Sequence, residues 1–134
     1  MRILIVESDA DLAQIWARHL ERQGFDVDIS GGSEKAIAMI SARPYDGIVI
    51  DLVLDEGSAL AVSDYVQYRQ PVTNIIFVTN TTFFSDGSIF TLGPSARALM
   101  RSSAPPEDIA ATVAHYAEPS RRRAMPDKVD VFSR

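Results

Sequence analysis

Gly47-Ile48-Val49-Ile50-Asp51 is an unbroken apolar run, rich in β-branched residues, that closes on an acid, and Ile3-Leu4-Ile5-Val6-Glu7 repeats the pattern earlier in the chain. Continuous apolar runs of four residues bounded by polar ones suit strands covered on both faces, because a half-solvated strand would alternate. Ile75-Ile76-Phe77-Val78, closing at Thr79, reads as a third such strand.

The segments between these runs carry helical spacing. Ser8-Asp9-Ala10-Asp11 supplies N-cap candidates and first-turn acids. Leu12, Ile15, Trp16, His19 and Leu20 then follow at helical spacing, with Gly24 as a stop. Phe25, Val27 and Ile29 alternate with Asp26 and Asp28 as a short strand. Gly31-Gly32-Ser33 opens a helix carrying Ala36, Ile37, Met39 and Ile40, closed by Pro44. Gly57 onward, with Leu60, Ala61, Asp64 and Tyr65, predicts a helix ending before Pro71. Residues 81–90 predict a loop plus a short helix capped by Ser85. Ala96 to Met100 predicts a last strand, and Pro105-Pro106-Glu107-Asp108 opens a last helix through Ile109, Val113 and Tyr116. Strands alternating with helices require right-handed crossovers and a parallel sheet covered on both faces. The expected fold is therefore α/β, a three-layer doubly wound domain over residues 1–117, with 118–134 as a basic, flexible tail.

Composition narrows the chemistry. The 134 residues include no Cys, which excludes a catalytic thiolate, a Cys-ligated zinc and a disulfide framework. No apolar run approaches the roughly 20 residues of a membrane span, so the expectation is a soluble, cytoplasmic protein with no membrane partner. The net charge of −5 is unevenly distributed: residues 1–116 hold eight Lys and Arg against fifteen Asp and Glu, and residues 117–134 hold five against three. An acidic body argues against nucleic-acid binding by the globular domain, since phosphate contacts need cations. Arg121-Arg122-Arg123 reads as a solvated charge run.

In open α/β sheets the functional crevice lies outside the carboxyl ends of the strands. Glu7-Ser8, Asp51 and Thr79 would converge there. Two carboxylates near a hydroxyl form a seat for a hard divalent cation, whereas a nucleotide or flavin phosphate would need a Gly-rich loop where this chain has Glu7-Ser8-Asp9-Ala10-Asp11. A flavodoxin-like cofactor enzyme is disfavoured on that ground. Taken singly, Asp51 could be a solvated strand-end acid, Thr79 a polar strand terminus, and Ser8 and Asp9 simple N-caps. His19 and His115 lack acid partners at ligand or triad spacing, and Trp16 fits a core face.

Taken together, in this order and spacing, these residues resemble a bacterial response-regulator receiver domain of the CheY-like type over roughly residues 1–117. The resemblance rests on Ile-Leu-Ile-Val-Glu7-Ser8, on Ile-Val-Ile-Asp51-Leu52-Val53-Leu54-Asp55-Glu56-Gly57-Ser58, and on Phe-Val-Thr79-Asn80. It implies a five-stranded parallel sheet of order 2-1-3-4-5 in a flavodoxin-like (βα)5 fold. It further implies that Asp51 accepts a phosphoryl group from a histidine kinase or phosphotransferase, that Thr79 is the switch hydroxyl, and that Mg²⁺ is held by Glu7, Asp51 and the Val53 backbone carbonyl. Such a protein is not an enzyme beyond self-phosphorylation from a phosphodonor and slow autodephosphorylation. The 17 residues after 117 hold no output domain, so the expected output of a stand-alone receiver is contact with another protein, with a homodimer as a further partner and residues 80–92 as the moving segment.

Four departures from the family pattern stand beside the match. Ser8 occupies the position of a second acid and would be a weak metal ligand. No Lys follows the last strand, where Met100, Arg101 and Ser102 stand, and Arg101 is the only candidate phosphoryl clamp, a planar fork rather than a compact ammonium. Arg97, Ala98 and Leu99 occupy the region of the aromatic switch residue, and Asp55 stands where the loop usually has Pro. These departures motivate the alternative reading, a pseudo-receiver that keeps the fold as an interaction module and has lost phosphotransfer.

Overall fold

The computed structural model describes residues 1–80 and 93–123, with side chains through residue 117. The elements run β1 (Arg2–Val6), α1 (Ala10–Arg22), β2 (Asp26–Ser30), α2 (Ser33–Ala42), β3 (Gly47–Asp51), α3 (Ala59–Arg69), β4 (Asn74–Thr79), β5 (Ala96–Arg101) and α4 (Pro106–Arg123). The five strands form one parallel sheet of order β2-β1-β3-β4-β5, as the resemblance implied.

Strand alternation divides the core in two. Ile3, Ile5, Val49, Ile76 and Val78 point to the face covered by α1 and α4, where Trp16, Leu20, Ile109 and Val113 close the layer. Leu4, Val6, Ile48, Ile50, Ile75 and Phe77 point to the other face, under Ile40 of α2 and Val62 and Val66 of α3. Burial on both faces is why these strands read as unbroken apolar runs. β2 lies at the sheet edge, and the exposed Asp26 with the half-buried Asp28 keeps that edge polar.

Local signals account for most element ends. Asp9 caps α1, its Oδ1 accepting from the Asp11 and Leu12 amides at 3.1 Å each. Ser8, the other predicted cap, does not serve there. Ser58 caps α3 through its Oγ, so the helix begins at Ala59, two residues beyond the expected Gly57. Gly57 itself has φ of +89°, a left-handed turn that L side chains rarely adopt. Helix α4 continues to Arg123, past Tyr116 where the sequence pattern placed its last residue and through Pro119. The predicted 81–90 segment, including the Ser85 cap, Phe83, Phe84, Ile89 and Phe90, and the tail beyond 123 lie outside the described residues.

Candidate functional site

Three neighbouring strands deliver their terminal side chains to one end of the sheet. Register places Val6 beside Ile50 and Asp51 beside Val78, so Glu7 just beyond β1, Asp51 ending β3 and Thr79 ending β4 meet at the carboxyl edge. Thr79 is buried, with its carbonyl accepting from the Ser102 amide at 2.8 Å. The structure thus brings together the three residues expected to converge.

Glu7 is only 4% exposed. Its amide donates to the Ser30 carbonyl at 3.0 Å, and its Oε2 accepts from the Asp9 amide at 3.1 Å. Oε1 is buried and has no hydrogen-bond partner. Burial, and then the adjoining Asp51 carboxyl, push the Glu7 carboxyl from its ordinary 4.5 up to about 7, against the opposing pull of the Asp9 N–H. The carboxyls stand close enough to interact, yet no hydrogen bond of acceptable geometry joins them. A buried carboxylate oxygen with no donor, beside a second carboxylate, is the environment a cation relieves.

Asp51 is half-buried, and its Oδ1 accepts from the Val53 amide at 3.0 Å. The Leu52 amide donates to the Val78 carbonyl at 2.8 Å, so the chain leaves β3 still tied to β4. The Val53 side chain is 65% exposed. Glu7 and Asp51 bring two carboxylates together, the oxygen donors that a hard cation such as Mg²⁺ takes alongside several waters. Among the described residues no three His, Asp or Glu side chains gather into a metal cage, so the site rests on two carboxylates.

Ser8 departs from expectation. Its Oγ donates to the Gly31 carbonyl and accepts from the Asp55 amide, both at 2.9 Å, so the hydroxyl proton and one lone pair are committed to backbone. The hydroxyl is thus a bridge between loops. Arg101 ends β5 in register with Thr79 but is exposed, and it makes no ion pair or hydrogen bond with Asp51 or Glu7. The structure leaves it outside the cluster that the other predicted residues form.

Around Asp51 the sequence reading missed a second set of contacts. The Ser33 amide donates to the Glu56 carbonyl at 3.2 Å. A Cβ on Gly32 would fall on Glu56 Oε1, and one on Gly57 would fall on Ser33 Oγ. The Gly31-Gly32-Ser33 turn and the Glu56-Gly57-Ser58 turn therefore interlock, each glycine making room for the other loop. Paired Gly-Ser dipeptides were the available signal, but the turns lie more than twenty residues apart and nothing local says that they meet.

The family model for the response regulator receiver domain matches residues 3–87. The chain belongs to the response-regulator receiver family. It is similar to the acid tolerance regulatory protein ActR of Rhizobium meliloti (strain 1021), 36% identical over 77 residues, which are 58% of this chain and 40% of that protein. The receiver thus spans about two-fifths of the length of that regulator. By fold it is similar to a CheY-like response regulator receiver domain protein from Methanospirillum hungatei JF-1, with TM-score 0.81 and 21% identity over 91% of this chain and 97% of that one. It is also similar to a response regulator protein from Burkholderia pseudomallei with a phosphorylated aspartic acid, calcium ion and citrate, with TM-score 0.73 and 23% identity over 92% and 72% of the two chains. The receiver is thus a response-regulator domain of two-component systems, and the sequence-based recognition and fold hold. The match to the family model ends before β5, the strand where the expected Lys and aromatic residue are missing. No described helix is long and apolar enough to cross a membrane.

Proposed function

We propose that this receiver takes a phosphoryl group onto Asp51 from a histidine kinase or phosphotransferase and passes the signal on by contact with an output protein or a second copy of itself. One observation carries the reading: the buried, partnerless Glu7 Oε1 beside Asp51 at the carboxyl edge of the sheet. In the transfer, an Asp51 carboxylate oxygen attacks phosphorus, an O–P bond forms as the donor's N–P bond breaks, and the departing imidazole takes up a proton. Bound at Glu7, Asp51 and the Val53 carbonyl, Mg²⁺ would offset the negative charge that gathers on the phosphoryl oxygens. Glu7 supplies a fixed carboxylate, Asp51 supplies the nucleophile, and Thr79 places a hydroxyl at the adjoining strand end as the switch. The domain performs no further catalysis beyond self-phosphorylation from a phosphodonor and slow loss of the group. A soluble, cytoplasmic setting accords with this role.

The test is incubation with Mg²⁺ and a small phosphodonor, read by intact mass. A single phosphoryl increment in the wild-type chain, lost in Asp51→Asn, is the expected result, and no increment at millimolar Mg²⁺ overturns it. The second reading, a pseudo-receiver that acts only as an interaction module, is favoured by Ser8 being committed to backbone and by Arg101 standing outside the cluster. It predicts no Mg²⁺ binding by the wild-type chain.

A further inference from the structure

The segment that carries the Val53 carbonyl runs from the end of β3 to the Glu56-Gly57-Ser58 turn. Leu52 is tied to β4 through the Val78 carbonyl, and Val53 donates only to Asp51 within its own turn. The Val53 side chain stands in solvent, between Leu52 and Leu54, which pack partly against the core under α2 and α3. Beyond Leu54 the Asp55 amide donates to Ser8 Oγ. The same oxygen donates its proton to the Gly31 carbonyl. Ser8 thus joins three loops at one atom: its own after β1, the β2–α2 turn, and the loop after β3.

Only a hydroxyl does this. A serine offers one donor and two acceptor lone pairs, whereas an ionised carboxylate accepts only and has nothing to give the Gly31 carbonyl. The bridge spans 23 residues on one side and 47 on the other, and the Ser33–Glu56 contact with the two glycine approaches continues it along the same pair of loops.

We infer that Ser8 is a positioning residue, holding the loop after β3 through Asp55 and thereby ordering the backbone around Val53 for the proposed metal site. The metal part of this inference rests on the proposed Mg²⁺ reading, while the loop bridge does not. An acid lost from the family pattern is here replaced by a polar staple that orders the backbone ligand.

The experiment compares wild type, Ser8→Ala and Ser8→Thr in the full chain. Amide hydrogen exchange is measured without metal, and Mg²⁺ alone is then titrated while the Val53 and Asp55 amide resonances are followed. One hydrogen bond lost should speed exchange at Asp55 about fivefold in Ser8→Ala, with the Leu52 amide unchanged, and weaken Mg²⁺ binding by a similar factor. Ser8→Thr keeps the hydroxyl and should restore both. Unchanged exchange at Asp55 in Ser8→Ala overturns the bridge. Faster exchange with undiminished Mg²⁺ affinity overturns the positioning role. A wild-type chain that binds no Mg²⁺ overturns the metal reading, and Asp55 exchange then still decides whether Ser8 holds the loop.

Discussion

The two ends of the sheet treat their polar groups in opposite ways. At the amino end the buried polar side chains of Tyr45, Thr73 and Asn74 are satisfied by protein. The Tyr45 hydroxyl donates to Asp28 Oδ2 at 2.7 Å, Arg43 reaches the same oxygen at 3.4 Å, and the Arg2 amide donates to Asp46 Oδ2 at 2.8 Å. Asn74, 1% exposed, donates to the Tyr116 carbonyl and accepts from Arg97 Nε at 2.7 Å. Thr73 donates to the Tyr45 carbonyl at 2.6 Å. At the carboxyl end two carboxyls adjoin and one buried oxygen has no donor. An end that is complete without a ligand contributes stability, and an end left electrostatically incomplete sets aside stability for binding.

Breaking the amino end should therefore destabilise, and relaxing the carboxyl end should stabilise. The largest effect is expected from Asn74→Ala, which removes the donor to the Tyr116 carbonyl and the acceptor of Arg97 Nε. Urea unfolding should show a loss of about 2–3 kcal/mol. Glu7→Gln should act in the other direction. It should gain about 1–2 kcal/mol at pH 8 in metal-free buffer, less than the full shift implies because the buried Gln amide is itself desolvated, while weakening Mg²⁺ binding. Equal destabilisation by both variants would erase the contrast between the ends.

The pH dependence sharpens the same point. The folded-state pKa of Glu7, about 7, lies above its ordinary 4.5, so the folded protein binds the extra proton between these values. The stability this group contributes is fully present below pH 4.5 and is lost as pH rises through about 7. Metal-free unfolding curves at pH 5 and pH 8 should show that fall in the wild-type chain and a smaller one in Glu7→Gln. Mg²⁺ competes with the proton, so its apparent affinity should climb over the same interval. The smallest effect is expected from Tyr45→Phe, about 1 kcal/mol, since Asp28 keeps its cationic partners. The phenol itself stays protonated, because burial and then Asp28 raise its pKa far above neutrality.

Much of this was legible in the residues. Runs such as Ile48-Val49-Ile50 announce strands buried on both faces, because apolar surface on successive residues needs cover on both sides. Asp9 marks a helix start through a cap that acts over two or three residues. The acid at the end of β3 and the hydroxyl at the end of β4 could be paired in advance because parallel crossovers put all strand ends on one side. These are local patterns combined with one topological rule.

Other features depended on the assembled fold. Nothing near Ser8 in the chain indicates that its hydroxyl spends itself on Gly31 and Asp55 rather than on a cap or a metal, since a hydroxyl accepts whatever folding brings within 3 Å. Arg101 likewise ends β5 in register with Thr79 yet makes no ion pair with Asp51 or Glu7, which its residue type alone does not indicate. Glu7 was readable as an acid beside Asp51, but its raised pKa comes from burial, and burial is a property of what packs around a group. Sequence alone determined the strands, the helices and the set of chemical groups at the carboxyl edge, because these follow from short-range pattern. Tertiary structure alone decided which of those groups are spent on holding loops and which stay open to a ligand, because hydrogen-bond partners and desolvation are set by residues distant in the chain.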